Sequence, residues 1–288
     1  MTKFTSLQAI AVALLACGLS TVPAAALANR TFVSGNGTDG GACGFAAPCR
    51  SFAFALTQTN AGGEIDVLDP AGYGAVTITK AISLVNDGVG LAAIAAPSGN
   101  AITINAGGGD SVHLRGLTID GFGSGTVGIQ LNTGGDLAIE NCVARGFTNA
   151  GIRISPTQSA AVTGALRNVL TSDNGNGILV EGVATTGSAV NVTVVDSVAS
   201  NNGNFGIGAV ARTGAVSPAV MVRNSVASYN GTGLEADVNA MLRVAHSVIT
   251  GNATGANTNG GTIFSYGDND IDGNTNDNTG ALTPLPTH

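Results

Sequence analysis

Three features of the sequence predict an all-β fold: a single-stranded right-handed parallel β-helix, or solenoid, with a short capping helix at its N-terminal end. A ten-residue segment recurs along the chain at the spacing of one solenoid coil, roughly 22 to 29 residues. Within each copy apolar residues alternate with polar ones, which is strand periodicity. The composition supplies a core without aromatics: 44% of residues are apolar, only 4% aromatic and only 10% charged, and 43 of 288 are Gly.

The first element is a leader over residues 1–28. Lys3 gives a positive start, Leu7 to Leu19 is apolar but short for a membrane span, and Ala26-Leu27-Ala28 is a small-residue cleavage site. Leu14-Leu15-Ala16-Cys17 offers a second outcome, a lipoprotein anchored at Cys17. Cleavage near Ala28 is preferred, because the Val22-Pro23 and Ala run suits the end of a leader. Either outcome places the mature chain outside the cytoplasm, secreted, periplasmic or on the cell surface. No transmembrane segment is expected in the mature chain.

Residues 29–62 read as an entry segment. Arg30 to Val33 has strand character. Cys43 and Cys49 lie six apart in a Gly- and Pro-containing loop, and an oxidising compartment favours a disulfide between them. Zinc is the weaker alternative, since no His lies near. Ser51 to Thr59 is helical, with Phe52, Leu56 and Phe45 expected to cover the first coil.

Residues 63–276 carry the coils. The segments starting at Leu137, Ala165, Val192, Val220 and Leu242 align, with a looser copy at Val112. Five of the six are followed by Gly and a branched aliphatic, at Gly128, Gly151, Gly177, Gly206 and Gly233, spaced 23, 26, 29 and 27 residues apart. Two columns are uniformly aliphatic: Leu114, Ile139, Leu166, Val194, Val222 and Val244, then Ile129, Ile152, Ile178, Ile207 and Leu234. A lone coil cannot bury such a face. Coils stacked at about 4.8 Å can. Two Asn-rich columns, Asn141, Asn168, Asp196, Asn224 and His246, then Asn174, Asn202, Asn230 and Asn252, fit turns that need left-handed backbone. Cys142 falls on a strand and reads as a small buried residue. Residues 277–288 hold two prolines and no pattern, and read as a loose tail.

The coil Asn-Ser-Val-x-Ser-x-Asn followed by Gly-Ile or Gly-Leu resembles the right-handed parallel β-helix repeat of the pectate-lyase-like superfamily, over roughly Glu64 to Asn274. Arg30-Thr-Phe-Val-Ser and Pro48-Cys-Arg-Ser-Phe also resemble the entry segment of small secreted bacterial β-helix proteins. The resemblance implies the fold. For activity it implies several classes at once: polysaccharide lyases, glycoside hydrolases, epimerases, adhesins and accessory proteins.

Four places carry candidate chemistry. Arg115, Glu140, Arg167 and Arg223 share one outward column, expected to form either a solubilising charge ladder or a groove for an acidic glycan. Asp268, Asp270 and Asp272 with Gly273 match the start of a calcium loop, although Thr279 stands where its bidentate Glu belongs. Carboxylate pairs are sought at Asp120 with Asp173 and among Glu64, Asp66 and Asp69, with no pair clearly on one face. His113 and His246 fall in different columns, which disfavours a shared metal.

The balance of 18 Asp and Glu against 11 Lys and Arg argues against a nucleic-acid partner. The expected reading is a non-catalytic solenoid presenting a wall to a polysaccharide or cell-surface component. The alternative is a lyase or hydrolase of an acidic polysaccharide. Absent Trp, only three Tyr and short coils favour the first.

Overall fold

The computed structural model describes residues 27–182, 189–212 and 214–286. The leader, including Cys17, lies outside the described residues except for Leu27 and Ala28, and Ala28 already begins the first strand, Ala28–Val33. The chain winds into a right-handed parallel β-solenoid with one short helix. Every strand pairing between named strands is parallel, as stacked coils require.

Three walls line the core. The first is an 11-stranded sheet running from Ala28–Val33 to Thr283–Pro284. The other two belong to a 16-stranded sheet. Its narrow second wall is built from three-residue strands such as Leu170–Ser172, Val198–Ser200 and Val226–Ser228. Its third wall holds Asn176–Gly182, Phe205–Ala211 and Thr232–Ala236. Leu117–Thr133 and Val143–Ile154 run continuously through both walls.

Register turns the sequence columns into a core. Leu114, Ile139, Leu166, Val194, Val222 and Val244 are consecutive in-register partners, each at most 1% exposed. Ile129, Ile152, Ile178, Ile207, Leu234 and Ala256 form the facing column. Burying a branched aliphatic side chain contributes about 1.5–3 kcal/mol, so each coil is stable only against its neighbours.

The two Asn-rich columns do different work. Asn141, Asn168, Asp196, Asn224 and His246 all have φ between 47° and 54°, the left-handed corner expected of them. Asn174, Asn202, Asn230 and Asn252 do not. In that second turn the left-handed residue is the preceding one, Asp173, Asn201, Tyr229 or Gly251. The asparagines themselves point inward as a buried ladder, at most 4% exposed. Each Nδ2 donates to Oδ1 of the next rung at 2.9–3.1 Å, and that same oxygen accepts the backbone N–H of the rung above. At the lower end Asp277 takes the place of a further rung, accepting both N–H and Nδ2 of Asn274 at 3.1 Å.

The recurring glycines now have a reason. A Cβ on Gly177 would sit 2.4 Å from the carbonyl oxygen of Gly206 and 2.9 Å from Nδ2 of Asn202. The glycine column clears the space that the amide ladder fills.

Cys142 occupies the column continued by Val169, Ser197, Ser225 and Ser247. Its Sγ lies 3.2 Å from the Glu140 carbonyl, as Ser197 Oγ donates to Val195. Burial pushes its thiol up to about 11, so it stays protonated and inert.

The N-terminal end is closed by the helix Phe52–Gln58. Ser51 caps it, its Oγ accepting from Phe54 N, and Asp39 accepts from Ser51 in turn. Phe52 and Leu56 are buried against the first coil as expected. Phe45 is not: it is 70% exposed and packs edge-on against Phe32. The disulfide Cys43–Cys49 ties down its short loop, which leaves no slack for Phe45 to reach the helix. The C-terminal region expected to be loose contributes two more strands, Asn276–Thr279 and Thr283–Pro284.

Candidate functional site

Alternation along each strand sends every second side chain outward, and in the first wall this produces one charged column. Val85, Arg115, Glu140, Arg167, Val195, Arg223 and Ala245 are in-register partners down seven coils. The sequence-predicted Arg115, Glu140, Arg167 and Arg223 are therefore stacked. Their ion pairs, however, run sideways rather than down the column. Arg115 pairs with Asp87, and Arg167 Nε lies 3.5 Å from Asp196 Oδ2. The cause is the left-handed corner: Asp196 follows Val195, the in-register neighbour of Arg167, and the turn brings its carboxylate beside that guanidinium.

Between the charged column and the Asn corner runs a furrow along the solenoid axis. It consists of three shallow concavities of about 320, 370 and 470 Å³. The upper two share Asn141 and the lower two share Asp196, so the polar lining is continuous from Asp87 to His246. At its foot His246 Nε2 lies 3.1 Å from Asp268 Oδ2. Its lining mixes the amides of Asn86, Asn141, Asn168 and Asn224 with charged side chains. Such a lining suits an extended polar ligand rather than a compact apolar one.

Above the furrow Arg30 meets both Glu64, at 2.5 Å, and Asp66, at 2.7 Å. Glu64 and Asp66 are two residues apart on one strand and share its outer face, so a co-facial carboxylate pair does exist. Burial and the neighbouring Glu64 push the Asp66 carboxyl up to about 6, and Arg30 only partly offsets them. Asp69 is separate: it accepts from Ser34 Oγ, Gly35 N and Tyr73 Oη and ties the entry segment to the first coil.

Asp120 and Asp173 are not equivalent. Asp120 is in register with Arg145 and pairs with it at 2.8 Å, and Arg145 is in register with Ser172, one residue before Asp173. Asp173 instead accepts from Asn201 Nδ2 at 2.5 Å. The calcium-loop residues are also drawn apart. Asp268 turns to His246, Asp272 accepts its neighbour Gly273 N at 2.7 Å, and Asp270 begins the strand Asp270–Ile271. Among the described residues no group of three His, Cys, Asp or Glu is placed to hold a metal ion. His113 is exposed on the first wall, in register with Ser83 and Ala138, away from His246.

Two features escape the sequence reading. Glu235 lies on the outer face of the third wall yet is 2% exposed, and burial pushes its carboxyl up to about 7. Phe122 and Tyr229 are 65% and 70% exposed with φ of 52° and 56°. For Tyr229, an aromatic in a column otherwise made of Gly, Asp and Asn is the sequence signal that could have marked it; Phe122 lies one residue past that column, in a lengthened corner.

A family model described as a right handed beta helix region matches residues 100–276, more than half the chain. A search of curated proteins finds no match. Among solved structures, the crystal structure of pectate lyase Pel9A superposes with a TM-score of 0.61 at 16% identity, covering 90% of this chain and 77% of that one. At that identity the likeness is one of fold.

Proposed function

Because the chain belongs to the right-handed β-helix family, we propose that it is an exported, non-catalytic solenoid that holds a glycan or other cell-surface component along its corner furrow. One observation carries the reading: two of the three arginines beside the furrow, Arg115 and Arg167, are held by carboxylates, while Arg223 is left to meet a ligand. Arg115 and Arg167 each pair with a carboxylate of a neighbouring coil. An eliminating base must instead stand free over the bound sugar and give up a proton near the working pH. Paired charges at regular height give directional contacts to a long ligand and keep the wall soluble. Export agrees with the Cys43–Cys49 disulfide, a bond that persists in oxidising compartments. No helix among the described residues is long and apolar enough to cross a membrane.

A second reading, a lyase acting on an acidic polysaccharide, is favoured by two observations. The fold is that of a pectate lyase, and burial and the neighbouring Glu64 push the Asp66 carboxyl up to about 6. One experiment separates the two. The protein is run through gels containing uronate-rich or neutral polysaccharides, and each mixture is followed for the ultraviolet absorbance of unsaturated sugar products. Retention without product is the expected result. Product formation establishes the lyase, and retention by none of the polymers removes the binding reading.

A further inference from the structure

The outer face of the third wall carries a further concavity, on a different wall from the furrow. It has a volume of about 460 Å³, and Gln130, Asn132, Arg153, Ser155, Thr157 and Arg212 line it. Register explains how it is assembled. Gln130, Arg153 and Leu179 are successive outward partners on neighbouring coils. Glu181 lies two residues beyond Leu179 on the same face, so it meets Arg153 on the diagonal, Oε2 to Nε at 2.5 Å. Arg212 follows Ala211, the in-register partner of Gly182, and reaches the same concavity from two coils below Arg153.

Three features distinguish this place from a solubilising charge pattern. The first is that Arg153 is built in. Its side chain and that of Glu181 are only 25% and 11% exposed. Glu181 engages its Nε, while its two Nη groups make no hydrogen bond to the described residues. The pair thus fixes the guanidinium plane and leaves its outer donors unspent. The second is Arg212, which is exposed and makes no ion pair among the described residues. Residues 183–188 and 213, beside it in the coils, contain no Asp or Glu. In a chain of net charge −7, two arginines therefore share a concavity whose described lining holds no carboxylate. The third is an apolar floor. Val127 joins the lining to a small buried cluster with Ala150 and Leu179, against which Phe205 and Val210 pack. Such a floor keeps water off one side and strengthens a charge contact made above it.

We propose that this concavity binds a small phosphomonoester, its phosphate held between Arg153 and Arg212 and its remainder against the amide of Asn132 and the hydroxyls of Ser155 and Thr157. Planar guanidinium groups match phosphate oxygens two at a time. A phosphomonoester carries about −1.5 to −2 charges near neutral pH, enough to engage both arginines. The volume falls in the range of small-molecule sites and exceeds what one phosphate ion fills, so the site has room for the group that bears the phosphate. The proposal is independent of the furrow and of what the furrow binds.

Titration calorimetry of the protein with inorganic phosphate, glycerol 3-phosphate and glycerol, at constant ionic strength in chloride, tests it. Saturable binding of both phosphates is expected, and none of glycerol. Arg212→Ala removes an exposed side chain. Arg153→Gln combined with Glu181→Gln replaces the half-buried ion pair by a neutral pair, so neither variant leaves a buried charge alone. Each is expected to keep its thermal midpoint and to weaken binding of glycerol 3-phosphate at least tenfold. Arg243→Ala, the same loss of charge on the first wall, is expected to leave the affinity unchanged. The proposal is overturned if glycerol 3-phosphate does not bind the native protein, or if glycerol binds as tightly. It is also overturned if Arg212→Ala or the double variant binds as well as the native protein, or if Arg243→Ala weakens binding as much as they do.

Discussion

Glu235 shows how a single side chain can tune this fold. It sits on a strand whose every residue from Gly233 to Ala236 is buried, with Asn257 Nδ2 donating to its two carboxylate oxygens at 3.2 and 3.0 Å. Burial dominates, so its folded value of about 7 lies above the ordinary 4.5. The folded chain therefore keeps a proton that the unfolded chain releases. Stability is full below about pH 4.5, declines as pH rises towards 7 and is level above that. Glu235→Gln is expected to be more stable than the native protein at pH 8 by on the order of 2 kcal/mol and equal to it at pH 4. Chemical denaturation at the two pH values checks this, and an equal difference at both would contradict it. Cys142→Ser is a milder change, because the column carries serine from the second coil below it onward, after Val169. It is expected to cost less than about 1 kcal/mol, and Cys142 is expected to resist thiol reagents until the protein unfolds. Cys142 was legible in the sequence as a small buried residue. Glu235 was not, because an outward strand position reads as solvated and only the folded wall shows it covered.

The amide ladder sets the energetics of the coil. Asn202 Oδ1 accepts two hydrogen bonds from Asn174, and its Nδ2 donates to Asn230 Oδ1 and Thr171 O. Asn202→Ala strands Asn174's buried donors, so it is expected to cost about 2–4 kcal/mol. Asp277, which ends the ladder, is exposed and accepts from the half-buried Asn274, whose donors can turn to water, so Asp277→Ala is expected to cost about 1 kcal/mol or less. Urea denaturation of the two variants compares them; equal costs would mean that the ladder is not cooperative. At the other end of the chain, reducing Cys43–Cys49 is expected to lower stability by about 2 kcal/mol, the closure entropy of so short a loop. The columns themselves were plain in the sequence, since identical spacing forces identical positions. Which Asn column turns the chain and which enters the core was not, because both choices use the same residue type one position apart.

A solenoid's surface is its function, since each coil adds the same strip of wall at the next level. The charged column was legible as a column because Arg115, Glu140, Arg167 and Arg223 recur at coil spacing. Its ion pairs were not, because Asp87 and Asp196 reach it only through the geometry of the left-handed corner. Likewise Glu64 and Asp66 come to share Arg30 only once the entry strand lies in register with the first coil. The pairing places a continuous polar furrow beside a row of fixed charges, and this arrangement is the core of the binding reading. Exposed charges at such a surface act through salt-sensitive contacts. The most direct test is the affinity of the native protein and of an Arg167→Ala, Arg223→Ala variant for a uronate-rich polysaccharide, measured at low and high salt. Binding is expected to weaken with salt and to fall at least tenfold, about 1.4 kcal/mol, in the variant at low salt. Affinity unchanged by both the substitutions and the salt would contradict it.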